Sequence, residues 1–196
     1  MILLLAVLAG IVSAIIRMQY SGGKLNFTKL HKVWLVPLGF LPQLIVYQLP
    51  GLRNRVTDEL AAIALVSSQL ILLVFAIYNR RHPGLLLLGI GLGMNLAVIL
   101  INGGLMPISP DTVTRLVPDA PRDAWEIGRR FGVSKDIILP VNQSRLWWLS
   151  DQLLSPEWSP YKVAFSLGDV LIAVGAFWSL WVLGNREKIL TIGNGV

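Results

Sequence analysis

Asp169 is the one acid inside any long apolar stretch of this 196-residue chain, in the run Phe165-Ser166-Leu167-Gly168-Asp169-Val170. Two chemistries fit a carboxylate there. Paired with Asp151 or Asp111, it could exchange protons with a substrate at the outer membrane surface. Alternatively, a serine with an acid three residues later is a capping box, closed by a Phe165–Val170 staple. The cap needs no second carboxylate and is the simpler reading, so Asp169 and Asp151 stand only as weak catalytic candidates. Nothing else offers a nucleophile or metal set. The chain has no cysteine and two histidines. His31 and His82 lie at span ends, poorly placed for a pigment, and two isolated histidines do not specify zinc. No metal and no cofactor are expected.

A second polar group sits in apolar surroundings: Gln43, Ser67, Ser68, Gln69 and Asn95. An unpaired amide in hydrocarbon costs several kcal/mol, so each of these must face a protein interior. They read either as a polar path for a small solute or as hydrogen bonds between helices, and the second is the plainer account. Pro37 and Pro42 should bend their helix and free a carbonyl for such a group. No Lys, Arg, Glu or His lies deep in an apolar run, so a proton relay lacks its usual parts.

The elements that must position these residues are five apolar stretches without Lys or Arg. They are Met1–Ile16, Val33–Leu49, Leu60–Tyr78, Leu85–Ile101 and Leu167–Leu183, of 16, 17, 19, 17 and 17 residues. As helices they reach roughly 24–29 Å, close to the thickness of a hydrocarbon core of about 30 Å. Composition agrees, with 54% hydrophobic and only 14% charged residues. The expectation is one membrane domain over 1–196, all-α, with five transmembrane helices. Met1–Ile16 reads as a retained span, because no basic residue precedes it as a signal peptide requires. Small-residue ridges should join the spans: Ala6, Gly10 and Ala14 on the first, Gly89 and Gly93 on the fourth, Gly168, Gly175 and Ser179 on the fifth. Gly89-Ile-Gly91-Leu-Gly93 lacks a preceding strand and is no nucleotide loop.

Loop charges give the orientation. Arg17, Lys24, Lys29 and Lys32 fill the first connection with no acid, Arg80 and Arg81 the third, and Arg186 and Lys188 follow the last span. Basic residues in short loops stay in the cytoplasm, so the N-terminus lies outside and the C-terminus inside. The net charge of +6 therefore serves anionic head groups rather than nucleic acid. Residues 102–166 then form an extracytoplasmic cap, balanced at seven basic and seven acidic residues. A connection of that length should be partly folded. Ser109-Pro110-Asp111 marks a helix start. Pro121–Arg130 reads as a second short helix ending before Gly132. Ser144–Leu154, with Trp147 and Trp148, reads as an amphipathic helix lying in the head-group layer.

Several of these pieces resemble a family of bacterial polytopic membrane proteins of unknown function. The resemblance rests on Met1-Ile-Leu-Leu-Leu5, Gly23-Lys-Leu25, Asn102-Gly103-Gly104-Leu-Met106-Pro107, Leu149-Ser-Asp151 and the Ser166-x-Gly168-Asp169 helix start. It implies a multi-pass protein of the bacterial inner membrane and no activity. It also implies a structural cluster at the outer mouth of the bundle, made of Asn102, Gly103, Gly104, Asp151, Ser166 and Asp169. The Asp169 run is also loosely similar to the second aspartate motif of lipoprotein signal peptidases, but their first motif has no counterpart here.

The sequence therefore leaves three functional expectations. The foremost is a non-catalytic component of a larger membrane complex, partnered by lipid and other membrane subunits, since glycine-rich faces are present and a catalytic set is not. A transporter or lipid-handling protein would use Gln43, Ser68, Gln69 and Asn95. An outer-leaflet enzyme would use Asp169 and Asp151.

Overall fold

The computed structural model describes residues 2–21, 30–121, 124–159 and 161–183. Gly23-Lys-Leu25, Lys24, Lys29, Arg122, Asp123, Arg186 and Lys188 fall outside the described residues, and so does the tail 184–196. Helices form on all five apolar stretches: α1 (Ile2–Ser21), α2 (Leu35–Gln43), α3 (Asp58–Tyr78), α4 (Pro83–Ile101) and, after the cap, α6 (Leu167–Leu183). Their ends follow local chemistry. Thr57 caps α3 by accepting from the Leu60 amide, and Asp58 and Glu59 stand in its positive first turn. Pro83 opens α4 where its missing N–H costs nothing. Within α2, Pro42 removes a ladder donor, and the helix continues as a π-helical turn, Leu44–Gln48.

The main packing contacts run in the order α1–α6–α4–α3–α2. This row places α1 and α2 at its two ends. Between α4 and α6 the backbones nearly touch. A Cβ on Gly91 would lie 2.5 Å from the Gly168 carbonyl, and one on Gly175 would lie 2.5 Å from the Gly84 carbonyl. Only glycine permits that approach. On α4 the expected ridge is divided: Gly89 faces Ala76 of α3, Gly91 faces α6, and Gly93 meets open space.

Two helices, α3 and α4, are long and apolar enough to cross a membrane, with mean hydropathies of 2.5 and 2.4. Only 39% and 44% of those windows are buried inside the chain. A helix this apolar, with most of its surface turned outward, is poorly suited to water.

The cap is held by two two-stranded pairs. β1 (Met106–Ile108) lies parallel to β2 (Asp136–Ile138), and β3 (Leu153–Leu154) runs antiparallel to β4 (Ala164–Phe165). Between β1 and β2 lies α5 (Pro110–Leu116), capped by Ser109 as expected from the sequence. Ile108, Val113 and Ile138 form the cap's core. Leu105, Met106 and Leu149 pack on Ala61, Leu65, Val98 and Ile99, which seats the cap on α3 and α4. Arg130 adds a tie: its Nη2 donates to the Val56 carbonyl at 3.0 Å, and its Nε lies 3.2 Å from Asp58. The latter is a charge contact, without hydrogen-bond alignment.

Two expected cap helices are absent. Described residues of Pro121–Arg130 form turns, because Gly128 and Arg129 are drawn into hydrogen bonds with Ile138. Ser144–Leu154 is one 3₁₀ turn (Trp147–Leu149) and then strand β3. Leu146 adopts a left-handed conformation (φ 52°), and pairing of Asp151 beside Ile108 pulls the following chain straight.

A candidate amphiphile cavity beneath the cap

A cavity of about 660 Å³ lies inside the curve of the helix row, bordered by all five long helices. Its floor is Leu30, Val33, Leu85 and Leu180, and its ceiling includes Ser134, Lys135, Asp136 and Phe165 of the cap. Along α6 the lining runs from Asp169 to Leu180, about 17 Å of helix rise. The walls are mainly Leu, Val, Ile and Phe. Polar side chains enter chiefly at the upper end: Gln43, Gln69, Lys135, Asp136 and Asp169, with Ser179 lower down.

Backbone pairing builds the ceiling's charge. Lys135 accepts the Met106 amide at its carbonyl, Asp136 pairs with Met106, and the Asp151 amide donates to the Pro107 carbonyl. β1 thus carries Lys135 and Asp136 on one side and Asp151 on the other. The Lys135 ammonium forms ion pairs with Asp151 and, at 3.2 Å, with Asp136. Burial works against the Lys135 charge, but Asp136, Asp151 and Asp169 outweigh it and hold the lysine well above its usual range. Asp151 is fully buried. Burial pushes its carboxyl up to about 8, with the Lys135 charge pulling the other way. Its second oxygen, Oδ1, has no partner.

Asp169 occupies a different network. The Asp169 amide donates to Ser166 Oγ at 3.0 Å and the Ser166 amide to Asp169 Oδ2 at 3.2 Å, completing the capping box. Asn95 Nδ2 donates to Asp169 Oδ1 at 2.8 Å, and Ser166 Oγ donates to Asn95 Oδ1 at 2.8 Å. Among the described residues, no cation lies in ion-pair contact with Asp169.

The six residues expected to form one cluster fall into three groups. Asn102 forms its own group: Nδ2 donates to the Val98 and Arg145 carbonyls, and Oδ1 accepts the Arg145 amide. Gly103 and Gly104 beside it take left-handed turns (φ 88° and 96°), where a side chain would be strained. Asp151 joins Lys135, and Ser166 joins Asp169. No hydrogen bond links these groups among the described residues, because β1 and its partners lie between them.

The polar residues expected within the apolar stretches separate similarly. Gln43 Nε2 donates to Ser68 Oγ at 2.7 Å, and Ser68 donates to the Gly39 carbonyl, beside the Pro42 bend. Asn95 serves the α4–α6 contact. Gln69 is 9% exposed, and its Oε1 has no partner. Lys135 and Asp136 were not singled out from the sequence. Their only signal was the short β-branched run Asp136-Ile-Ile138 after the Gly132 turn. His82 precedes α4, and the His31 amide donates to Asn79 Oδ1. Among the described residues, no three His, Cys, Asp or Glu gather into a metal-ligand group.

A family model, described as a family of unknown function (DUF5317), matches residues 27–181. The chain belongs to that family, as the sequence resemblance anticipated at the level of an uncharacterised group. No curated protein and no solved structure matches it.

Proposed function

We propose that this DUF5317 member is a five-span protein of the bacterial inner membrane that holds a lipid-like amphiphile in its bundle. Its N-terminus and cap face outward and its C-terminus faces the cytoplasm. The observation that carries the reading is the cavity: mainly apolar along the helices, charged among the described residues only under the cap, and inside the roughly 300–1,000 Å³ range of small-molecule sites. An amphiphile has the same division, with its head under the cap and its tail toward the cytoplasmic side.

The helix order supplies an entrance. α1 and α2 end the row, yet Val7 of α1 and Phe40 of α2 both line the cavity. The side between them opens toward the surrounding lipid, so a ligand enters laterally without crossing water.

The accessory-subunit reading drew on glycine faces, which are largely taken up within the chain by α1–α6 and α4–α6 packing. The enzyme reading drew on Asp169 with Asp151, but only Asp169 lines the cavity. Lipid handling therefore has the most support.

Native mass spectrometry of the detergent-purified full chain tests the proposal. A retained adduct of lipid mass is expected, and it should be lost in Ala176→Trp, which fills the cavity beside Ile172. An adduct-free wild type, or one equally loaded in the variant, would overturn the reading.

A further inference from the structure

Resting on the proposed cavity, the charges and the unmet hydrogen bond at its upper end say which amphiphile fits. Among the described residues, the Asp169 carboxylate lines the cavity and accepts hydrogen bonds from neutral donors alone, Asn95 and the Ser166 amide, with the Lys135 charge acting on it only from beyond ion-pair distance. Lys135, the one cation of the lining among the described residues, is already engaged by Asp136 and Asp151. Among the described residues the lining thus holds two carboxylates against one ammonium, in surroundings that are otherwise uncharged and mainly apolar. A carboxylate so placed gains most from a cation that arrives without needing hydration.

A second feature is independent of charge. Gln69 is nine-tenths buried and lines the same cavity, and its Oε1 has no hydrogen-bond partner. If the amide were turned over, a donor would be orphaned in its place, so the deficit remains either way. The close approaches of Gly89 to Ala76 and of Gly91 to Gly168 fix the relative heights of α3, α4 and α6. Counting along these helices puts Gln69 and Asp169 within about two turns of the same level.

We infer that the cavity selects an amine-bearing amphiphile, its ammonium against Asp169 and a hydroxyl or amide near the head bonded to Gln69. Anionic single-charge amphiphiles are disfavoured by the same arrangement.

The test compares three probes of one chain length, dodecylamine, dodecanol and dodecanoate, titrated against the full chain in nonionic detergent with thermal stabilisation as the readout. Wild type should bind the amine at least about tenfold more tightly than the alcohol, the scale of one charge-assisted contact. Asp169→Asn should abolish that preference while keeping alcohol binding. Should that variant not fold, Asp136→Asn, which leaves Lys135 less compensated, should weaken the amine selectively. Adding a hydroxyl two carbons from the amine should improve binding to wild type but not to Gln69→Leu. Equal binding of amine, alcohol and carboxylate would overturn the headgroup inference and leave the cavity proposal intact. Failure of all three to bind would overturn both.

Discussion

Asp151 and Lys135 show how a few backbone bonds can create a charge state that composition alone does not announce. Asp151 is an ordinary acid in the unfolded chain, near 3.8, and is pushed up to about 8 by burial in the folded one. Between those values the folded protein holds a proton that the unfolded chain has released. The contribution of this group to stability is therefore complete below about 3.8 and is lost as pH rises through about 8. Thermal unfolding followed by tryptophan fluorescence should show wild type losing stability, relative to Asp151→Asn, as pH rises from 4.5 to 8.5. Parallel pH profiles would contradict the assignment. Gly168 makes a steric prediction: its Cβ would collide with Asn95 Oδ1. Gly168→Ala should cost about 1–3 kcal/mol, the range for overpacking. Gly93→Ala, with nothing within 4 Å, should be nearly neutral in the same melt.

At the scale of elements, the proposed opening between α1 and α2 decides whether ligand exchange is lateral. The chain contains no cysteine, so introduced thiols report cleanly. Val7→Cys combined with Val33→Cys, joined by a short bifunctional thiol reagent, should slow amphiphile exchange at least about tenfold without lowering the melting temperature. Unchanged exchange after complete cross-linking would refute the lateral route. The helices themselves were legible. Each apolar stretch became a helix, with ends within two residues of the expected ones for α3, α4 and α6, because uncharged runs and local caps such as Thr57 and Ser166 act within a few residues. By contrast, α1 runs on to Ser21 and α2 gives way to a π-helical turn. Strand pairing was not legible. β1 and β2 are three residues each and thirty residues apart, so no periodicity marks them. The predicted helix at Ser144–Leu154 followed a real leucine spacing, but Asp151 pairing beside Ile108 overrode it. Because β1 assembles the ceiling, the same blindness hid Lys135 and Asp136.

At the scale of the whole molecule, the fold reads as a curved wall of helices with a lid of short strands. The apolar outward surface of α3 and α4 matches lipid, and the concave side makes a separate compartment whose charges, among the described residues, lie beneath the cap. The polar residues in apolar runs then have distinct duties. Gln43, Ser68 and Asn95 bond between helices, whereas Gln69 lines the cavity with its Oε1 left without a partner. Which amide would be spare depends on neighbours distant in sequence, and no local pattern encodes that.

The most direct test of the account is photo-crosslinking in native membranes, with a photoreactive amino acid at Leu88 in the cavity or at Ile90 on the outer face of the same helix. The account predicts that Leu88 captures a restricted set of amphiphiles, displaced by added dodecylamine, while Ile90 captures the bulk lipid mixture. Identical capture at both positions, or no lipid captured at Leu88, would contradict it.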